Sequence, residues 1–314
     1  MNLKALWADY PPASKLLLAI GIFIISMIVF GLLSFGIIFF FYRVPPSELQ
    51  SLLDNLSGDR AIEIAKVFQS VSSIGCFILS AWFLAYLFSD EAKGYLKLDK
   101  GVNKYSVLFV IIALIVALPL INYLGDINSK MSFPSFLSGV EKWMRDYEDR
   151  ADRLTESLLK MNSPGEMIFN VMMIALIPAI GEELFFRGIL QRIFIDWSKN
   201  KHWGIWLTAA IFSAIHFEFF GFLPRMLLGA LLGYLFVWSG SLWLPMIGHF
   251  VNNASAIVLA YLFRNVGSGL NPDKIGAEGD NLLPVIISVF LFTFLLVMIY
   301  MREKREREVE IAEG

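Results

Sequence analysis

The chain has 314 residues, of which 57% are hydrophobic and only 17% are charged, and its mean hydropathy is +0.63. Soluble globular domains carry about 25% charged and 45–50% apolar residues, so this composition excludes an ordinary soluble protein and predicts one embedded in a bilayer. The net charge of −2 gives no electrostatic basis for a nucleic-acid partner. The single cysteine, Cys76, excludes a disulfide framework and a cysteine-based zinc cluster, and three histidines limit any histidine site to a small one.

Eight apolar stretches are predicted to cross the membrane as helices, because about 18 or more apolar residues with few charges span a hydrocarbon core of ~30 Å. They are residues 16–42, 67–88, 106–124, 167–194, 203–217, 219–238, 242–263 and 282–300. The fifth is short for a span. The fold class predicted is therefore an all-α, polytopic transmembrane helix bundle of about eight spans.

The orientation follows from the basic residues. An even number of spans places both termini on one side, and short loops rich in Lys and Arg favour the cytoplasm. Such residues crowd the 89–105 loop and the segment just after the last span, at Lys93, Lys97, Lys100, Lys104, Arg302, Lys304, Arg305 and Arg307. We therefore expect a multi-pass integral membrane protein with both termini in the cytoplasm, in the plasma (inner) membrane if the source is prokaryotic.

The segment 125–166 has apolar residues at three- and four-residue steps, from Phe136 to Tyr147. This spacing is typical of an amphipathic helix lying on the outer membrane surface. A solvated connector with a few buried residues fits the segment about equally well.

Polar residues inside spans are costly and mark function, because they face a bundle interior or a water-filled cavity. Here they cluster in three of the predicted spans. The fourth contains Glu182, Glu183 and Arg187, the fifth contains Phe212 and His216, and the seventh contains His249 and Asn253.

Helical geometry divides these residues by role. Residues four apart share a face, so Glu183 can pair with Arg187, and Phe212 lies one turn from His216. Glu182 is rotated by ~100° from Glu183, and position 186 offers it no cation. We therefore expect Glu183 and Arg187 to form a compensated pair that holds the helix, which leaves Glu182 to meet His216 or His249.

One free carboxylate, two imidazoles and a carboxamide form a set suited to amide hydrolysis. A desolvated carboxylate with a histidine beside it can take a proton from water, and a second histidine with an asparagine can donate hydrogen bonds to an oxyanion. Other hydrolase signatures are missing from the sequence, which has no His-Glu-x-x-His, no Gly-x-Ser-x-Gly within a span and no pair of intramembrane aspartates.

These motifs resemble the CAAX prenyl protease and bacteriocin-processing (CPBP, or Abi) family of intramembrane proteases. The family pattern is Glu-Glu-x-x-x-Arg, then Phe-x-x-x-His, then His-x-x-x-Asn or Asp, on separate membrane helices, and the resemblance covers roughly residues 165–260. It implies that Glu182 and His216 activate the water and that His249 and Asn253 steady the oxyanion. From their spacing and apolar setting, we expect Glu183, Arg187 and Phe212 to have structural or supporting roles. We accordingly divide the chain into N-terminal spans with the outer amphipathic segment (1–160), a catalytic core (161–265), and a last span with a charged tail (266–314).

The predicted activity is an intramembrane endopeptidase whose substrate is a membrane-associated protein or peptide, with or without an attached lipid. A proton-coupled transporter that relays protons through the same Glu and His residues is the alternative. A catalytically inactive scaffold is a third hypothesis, which the completeness of the motifs disfavours. The sequence does not fix the substrate or the oligomeric state.

Metal dependence stays open. Glu182, His216 and His249 would form a two-imidazole, one-carboxylate zinc set of the kind found in catalytic sites. That arrangement would use Glu182 as a ligand and leave Glu183, the partner of Arg187, as the base. We therefore favour a mechanism without a cofactor over one with Zn²⁺.

Overall fold

A computed structural model describes residues 3–45, 47–48, 58–266 and 282–313. The regular structure in these residues is helical throughout, which confirms the predicted all-α class. The helices are α1 (Pro12–Tyr42), α2 (Arg60–Phe88), α3 (Ala92–Tyr95), α4 (Lys104–Val116), α5 (Leu118–Ser129), α6 (Ser138–Leu158), α7 (Pro164–Ser198), α8 (Lys201–Ala214), α9 (Phe222–Ser239), α10 (Trp243–Val266) and α11 (Leu283–Glu313).

Six of the described helices are long and apolar enough to cross a membrane, namely α1, α2, α7, α9, α10 and α11. A seventh span arises if α4 and α5, which are bent by 47° at their junction, are counted as one. The predicted fifth span, 203–217, corresponds to α8, which has only 14 residues. At 1.5 Å per residue α8 is about 21 Å long, shorter than a hydrocarbon core of ~30 Å. The polytopic bundle is confirmed, but helix length supports six or seven of the eight predicted spans.

Proline accounts for the bend between α4 and α5. Pro119 follows the break directly and lies in the first turn of α5. A proline has no N–H to donate, and its ring crowds the carbonyl one turn earlier, so a continuous helix is disfavoured there.

The predicted amphipathic segment forms helix α6, and its position on the outer membrane surface stays a prediction. Its Trp143 ring lies 5.6 Å from Phe219, and its Tyr147 ring lies 5.7 Å from Phe217. These contacts attach α6 to the turn between α8 and α9. The end of α6 is also tied to α7, because the buried Asn170 donates from Nδ2 to the Leu158 carbonyl at 2.7 Å.

Helices α2 and α7 approach each other closely at Gly181, directly before the two glutamates. A Cβ atom at this position would lie 2.9 Å from the Cβ of Phe77 and 3.1 Å from Cγ1 of Ile78. Both neighbours belong to a π-helical segment of α2, Ile74–Leu79. A glycine is therefore needed for this packing, which fixes the depth and rotation of the helix that carries Glu182 and Glu183.

Candidate active site

The glutamate pair lies in a short α-helical segment of α7 between two π-helical segments. The segments are Val171–Leu176, Ile177–Phe185 and Phe186–Gln191. Pro178 explains the first irregularity, since it cannot donate a hydrogen bond back to the preceding turn. Single-turn π segments inside α-helices are frequent at functional sites, because they re-aim the side chains around them.

Glu183 is completely buried and contacts two partners. Its Oε1 accepts from Nη1 of the equally buried Arg187 at 2.7 Å and lies 2.8 Å from Nδ1 of His249. The pair with Arg187 agrees with the prediction. The contact with His249 was not predicted, because we expected Glu182 alone to meet the histidines. Position 183 shares no helix with position 249, so no sequence spacing indicates this contact.

Arg187 and Gln191, four residues apart on α7, both bind the backbone of α9. Nη2 of Arg187 donates to the Gly229 carbonyl at 2.9 Å, and Nε2 of Gln191 donates to the Gly233 carbonyl at 3.1 Å. The four-residue spacing of the glycines matches that of the donors, and their lack of side chains lets α9 come close. Sequence reasoning missed Gln191 and both glycines, although Gly-x-x-x-G in a span signals close helix packing.

His216 is oriented by its own helix. Its Nδ1 lies 2.7 Å from the Phe212 carbonyl. A carbonyl can only accept, so Nδ1 carries the proton and Nε2 of the neutral ring is left with its lone pair. The Phe212 ring lies 5.0 Å from the His216 ring and 5.9 Å from the His249 ring, and it therefore separates and braces the two imidazoles.

A cavity of about 470 Å³ brings the four predicted catalytic residues together, since Glu182, His216, His249 and Asn253 all line it. Oε2 of Glu182 is 3.8 Å from Nε2 of His249. Oδ1 of Asn253 accepts from the neighbouring Asn252 at 3.1 Å, which leaves the Asn253 amide group free to donate. Glu183 and Arg187 do not line the cavity and lie behind it, in contact with His249 and α9.

Charged residues lie beside one part of the cavity. Arg225 lines the cavity and is paired with Glu218. On α6, Glu148 accepts from the Phe220 backbone N–H at 2.9 Å. Burial is the main cause that raises the pKa of Glu148 above its usual range. For Asp152, one turn later, burial and then the Glu218 carboxylate raise the pKa. The α6 carboxylates therefore lie near the Glu218–Arg225 pair, and Thr155 of α6 lines the cavity itself.

Comparison with known proteins finds similarity in the part of the chain that carries these residues. Residues 164–255 match the family described as Rce1-like, type II CAAX prenyl endopeptidase. This region is similar to that family. The chain is also 27% identical over 185 residues to the uncharacterized protein YpbD of Bacillus subtilis (strain 168), an alignment that covers 56% of this chain and 80% of the relative. No solved structure matches significantly.

The Rce1-like region contains every residue of the three motifs, from Glu182 to Asn253. The resemblance found in the sequence is thereby confirmed, and it supports a CAAX-protease-like intramembrane endopeptidase in general. The match concerns the region and assigns no role to an individual residue.

The candidate zinc ligands do not form a metal centre. Within residues 3–45, 47–48, 58–266 and 282–313, no group of three His, Cys, Asp or Glu side chains is arranged to hold a metal ion. Glu182, His216 and His249 line the same cavity, with Oε2 of Glu182 3.8 Å from Nε2 of His249. We therefore derive no step through a metal.

Proposed function

We propose that this protein is an intramembrane endopeptidase that hydrolyses a peptide bond of a membrane-associated protein or peptide. One observation carries the proposal. Three separate segments of the Rce1-like region deliver a carboxylate, two imidazoles and a carboxamide to one cavity. These are the groups needed to activate a water molecule and to stabilise a tetrahedral oxyanion.

Glu182 is the general base in this mechanism. It takes a proton from a water molecule whose oxygen attacks the scissile carbonyl carbon, and it then returns that proton to the leaving amine as the C–N bond breaks. Nε2 of His216 accepts a hydrogen bond from the same water, because its Nδ1 proton is held by the Phe212 carbonyl. Glu182 is the member of the glutamate pair that lines the cavity, which favours it over Glu183 as the base.

His249 and Asn253 bind the oxyanion. Nδ1 of His249 faces the Glu183 carboxylate and so carries a proton. A neutral imidazole has only one N–H, so Nε2 of His249 can donate to the oxyanion only when the ring is an imidazolium. A protonated His249 gives Glu182, Glu183, Arg187 and His249 a combined charge of zero.

Glu183 and Arg187 are positioning residues. Glu183 fixes the ring of His249, and Arg187 holds Glu183 while anchoring α7 to α9 through the Gly229 carbonyl. Neither side chain lines the cavity, so neither touches the substrate.

The substrate proposed here has an apolar part. An apolar recess of about 290 Å³ adjoins the catalytic cavity and shares Ile121, Pro224 and Leu228 with it. An extended apolar segment, whether side chains or an attached lipid, can thus lie in the recess while the peptide bond reaches Glu182. No cofactor is required by this mechanism.

Comparative proteomics would test the proposal in cells that carry the wild-type protein, Glu182→Gln or Glu308→Gln. Glu308 is 65% exposed on α11 and lies outside the site, so its substitution is a matched control for the loss of a carboxylate. We expect uncut membrane-associated proteins or peptides to accumulate with Glu182→Gln only.

Two outcomes would contradict the proposal. One is an identical set of peptides in all three strains. The other is solute uptake driven by a pH gradient and lost in Glu182→Gln, which would support the transporter instead.

A further inference from the structure

A second site of different character lies between α4 and α11, away from the catalytic cavity. It is a groove of about 780 Å³ that shares no lining residue with that cavity. The groove is lined by Tyr105, Phe109, Met298, Met301, Arg302, Arg305, Glu306 and Val309. Its position at the end of the apolar part of α11 places it at the boundary between the hydrocarbon core and the headgroup region.

One end of the groove is cationic and preorganised. Nε of Arg302 donates to Oδ1 of Asn103 at 2.9 Å, and its guanidinium lies 4.4 Å from the centre of the Tyr105 ring. Nζ of Lys104 lies 5.3 Å from the same ring. Arg305 is exposed one turn further along α11. Of the residues that line the groove, Arg302 and Arg305 are cationic, and Glu306, which is 4.0 Å from Arg302, is the one carboxylate.

The other end of the groove is apolar. Phe109 and Met298 line it, and Met301 is 60% exposed. Met298 lies about 10 Å below Arg305 along the helix axis at 1.5 Å per residue. Methionine side chains adapt to irregular flexible chains better than branched ones do. The groove is thus cationic at headgroup depth and apolar at acyl-chain depth.

We propose that this groove binds one anionic phospholipid. Its phosphate lies between Arg302 and Arg305, which can donate several charge-assisted hydrogen bonds to phosphate oxygens, and an acyl chain lies along Met298 and Phe109. The charge of the groove argues for an anionic lipid over a zwitterionic one. Because α4 packs on both α10 and α11, an occupied groove also holds the helix that carries His249.

Native mass spectrometry of the purified full-length protein would test this site. The probes are phosphatidylglycerol and phosphatidylcholine with identical acyl chains, and the variants are Arg305→Gln and Lys304→Gln. Lys304 is the matched control, because it precedes Arg305 on α11, is 57% exposed, pairs with Glu308 and does not line the groove. We expect one phosphatidylglycerol to be retained in preference to phosphatidylcholine, with about fivefold weaker retention in Arg305→Gln and little change in Lys304→Gln.

Three outcomes would overturn the proposal. Equal retention of the two lipids would remove the argument from charge. An equal loss in Lys304→Gln and Arg305→Gln would show diffuse attraction instead of a defined site. A melting temperature raised as much by inorganic phosphate as by phosphatidylglycerol would show that the acyl chain contributes nothing. None of these readouts involves peptide cleavage, so failure here is distinguishable from failure of the proposed protease function.

Discussion

Replacing Arg187 with methionine should destabilise the protein far more than removing an exposed cation does. Arg187 and Glu183 are both completely buried, and Oε2 of Glu183 already has no partner within the described part of the chain. The substitution would leave the Glu183 carboxylate with only His249 as a hydrogen-bond donor. Breaking a buried ion pair from one side costs about 3–5 kcal/mol, because an uncompensated charge remains away from water.

Equilibrium unfolding in mixed micelles, followed by tryptophan fluorescence, would measure this loss. Lys304→Gln is the control, because its pair with Glu308 is exposed and such pairs contribute little. The double variant Glu183→Gln/Arg187→Met removes both charges and should recover part of the stability lost in Arg187→Met. A loss in Arg187→Met no larger than that in Lys304→Gln, or a double variant less stable than the single one, would refute the argument from buried charge.

Four further predictions follow from separate features. Gly181→Val should lower the free energy of unfolding by about 1–3 kcal/mol, because the added side chain overpacks against Phe77. Gly21→Val is the control in thermal unfolding, since a Cβ at Gly21 has no atom within 4 Å and should cause no such loss. The pKa of Asp152 is raised above its ordinary value of 3.8, so the folded protein binds this proton more tightly than the unfolded chain does. The stability of the α6 attachment should therefore fall as the pH rises through the raised pKa. Hydrogen exchange of α6, corrected for intrinsic rates, should show this, and Asp152→Asn should reduce the pH dependence to the part that Glu148 contributes. Prolonged chelation should leave activity intact, with well under one equivalent of zinc found by metal analysis; loss that zinc restores would make Glu182, His216 and His249 ligands. An impermeant thiol reagent applied to intact cells should label Arg150→Cys and spare Asp90→Cys, and the reverse pattern would overturn the predicted orientation.

Composition and motif spacing predicted the helical bundle and the residues of the cavity. The apolar runs are long and contain few charges, so the positions of α1, α7, α10 and α11 follow from the sequence. The sequence predicted a membrane span at 203–217, but helix α8 ends at Ala214 and is short for a span. The prediction ran too far because apolar residues continue through the turn that follows the helix. The sequence shows that such a run is apolar but not where the helix ends.

The contacts between helices were the part that the sequence could not predict. Pairs such as Glu183 with Arg187 follow from the spacing of one helix. The contact of Glu183 with His249, and those of Arg187 and Gln191 with the α9 glycines, depend on how separate helices pack. The two π segments of α7 also change the rotation of its side chains, which an ideal helical wheel does not include.

Cleavage by purified protein in liposomes tests the central claim most directly. A reporter peptide, taken from a substrate identified by proteomics, would be reconstituted with the wild-type protein, Glu182→Gln or Glu308→Gln. We expect the wild type and Glu308→Gln to release the same fragment at similar rates, and Glu182→Gln to be slower by about 10²–10⁴-fold, the usual loss of a general base. A folded Glu182→Gln protein that cleaves the peptide at the wild-type rate would contradict the assignment of Glu182 as the base.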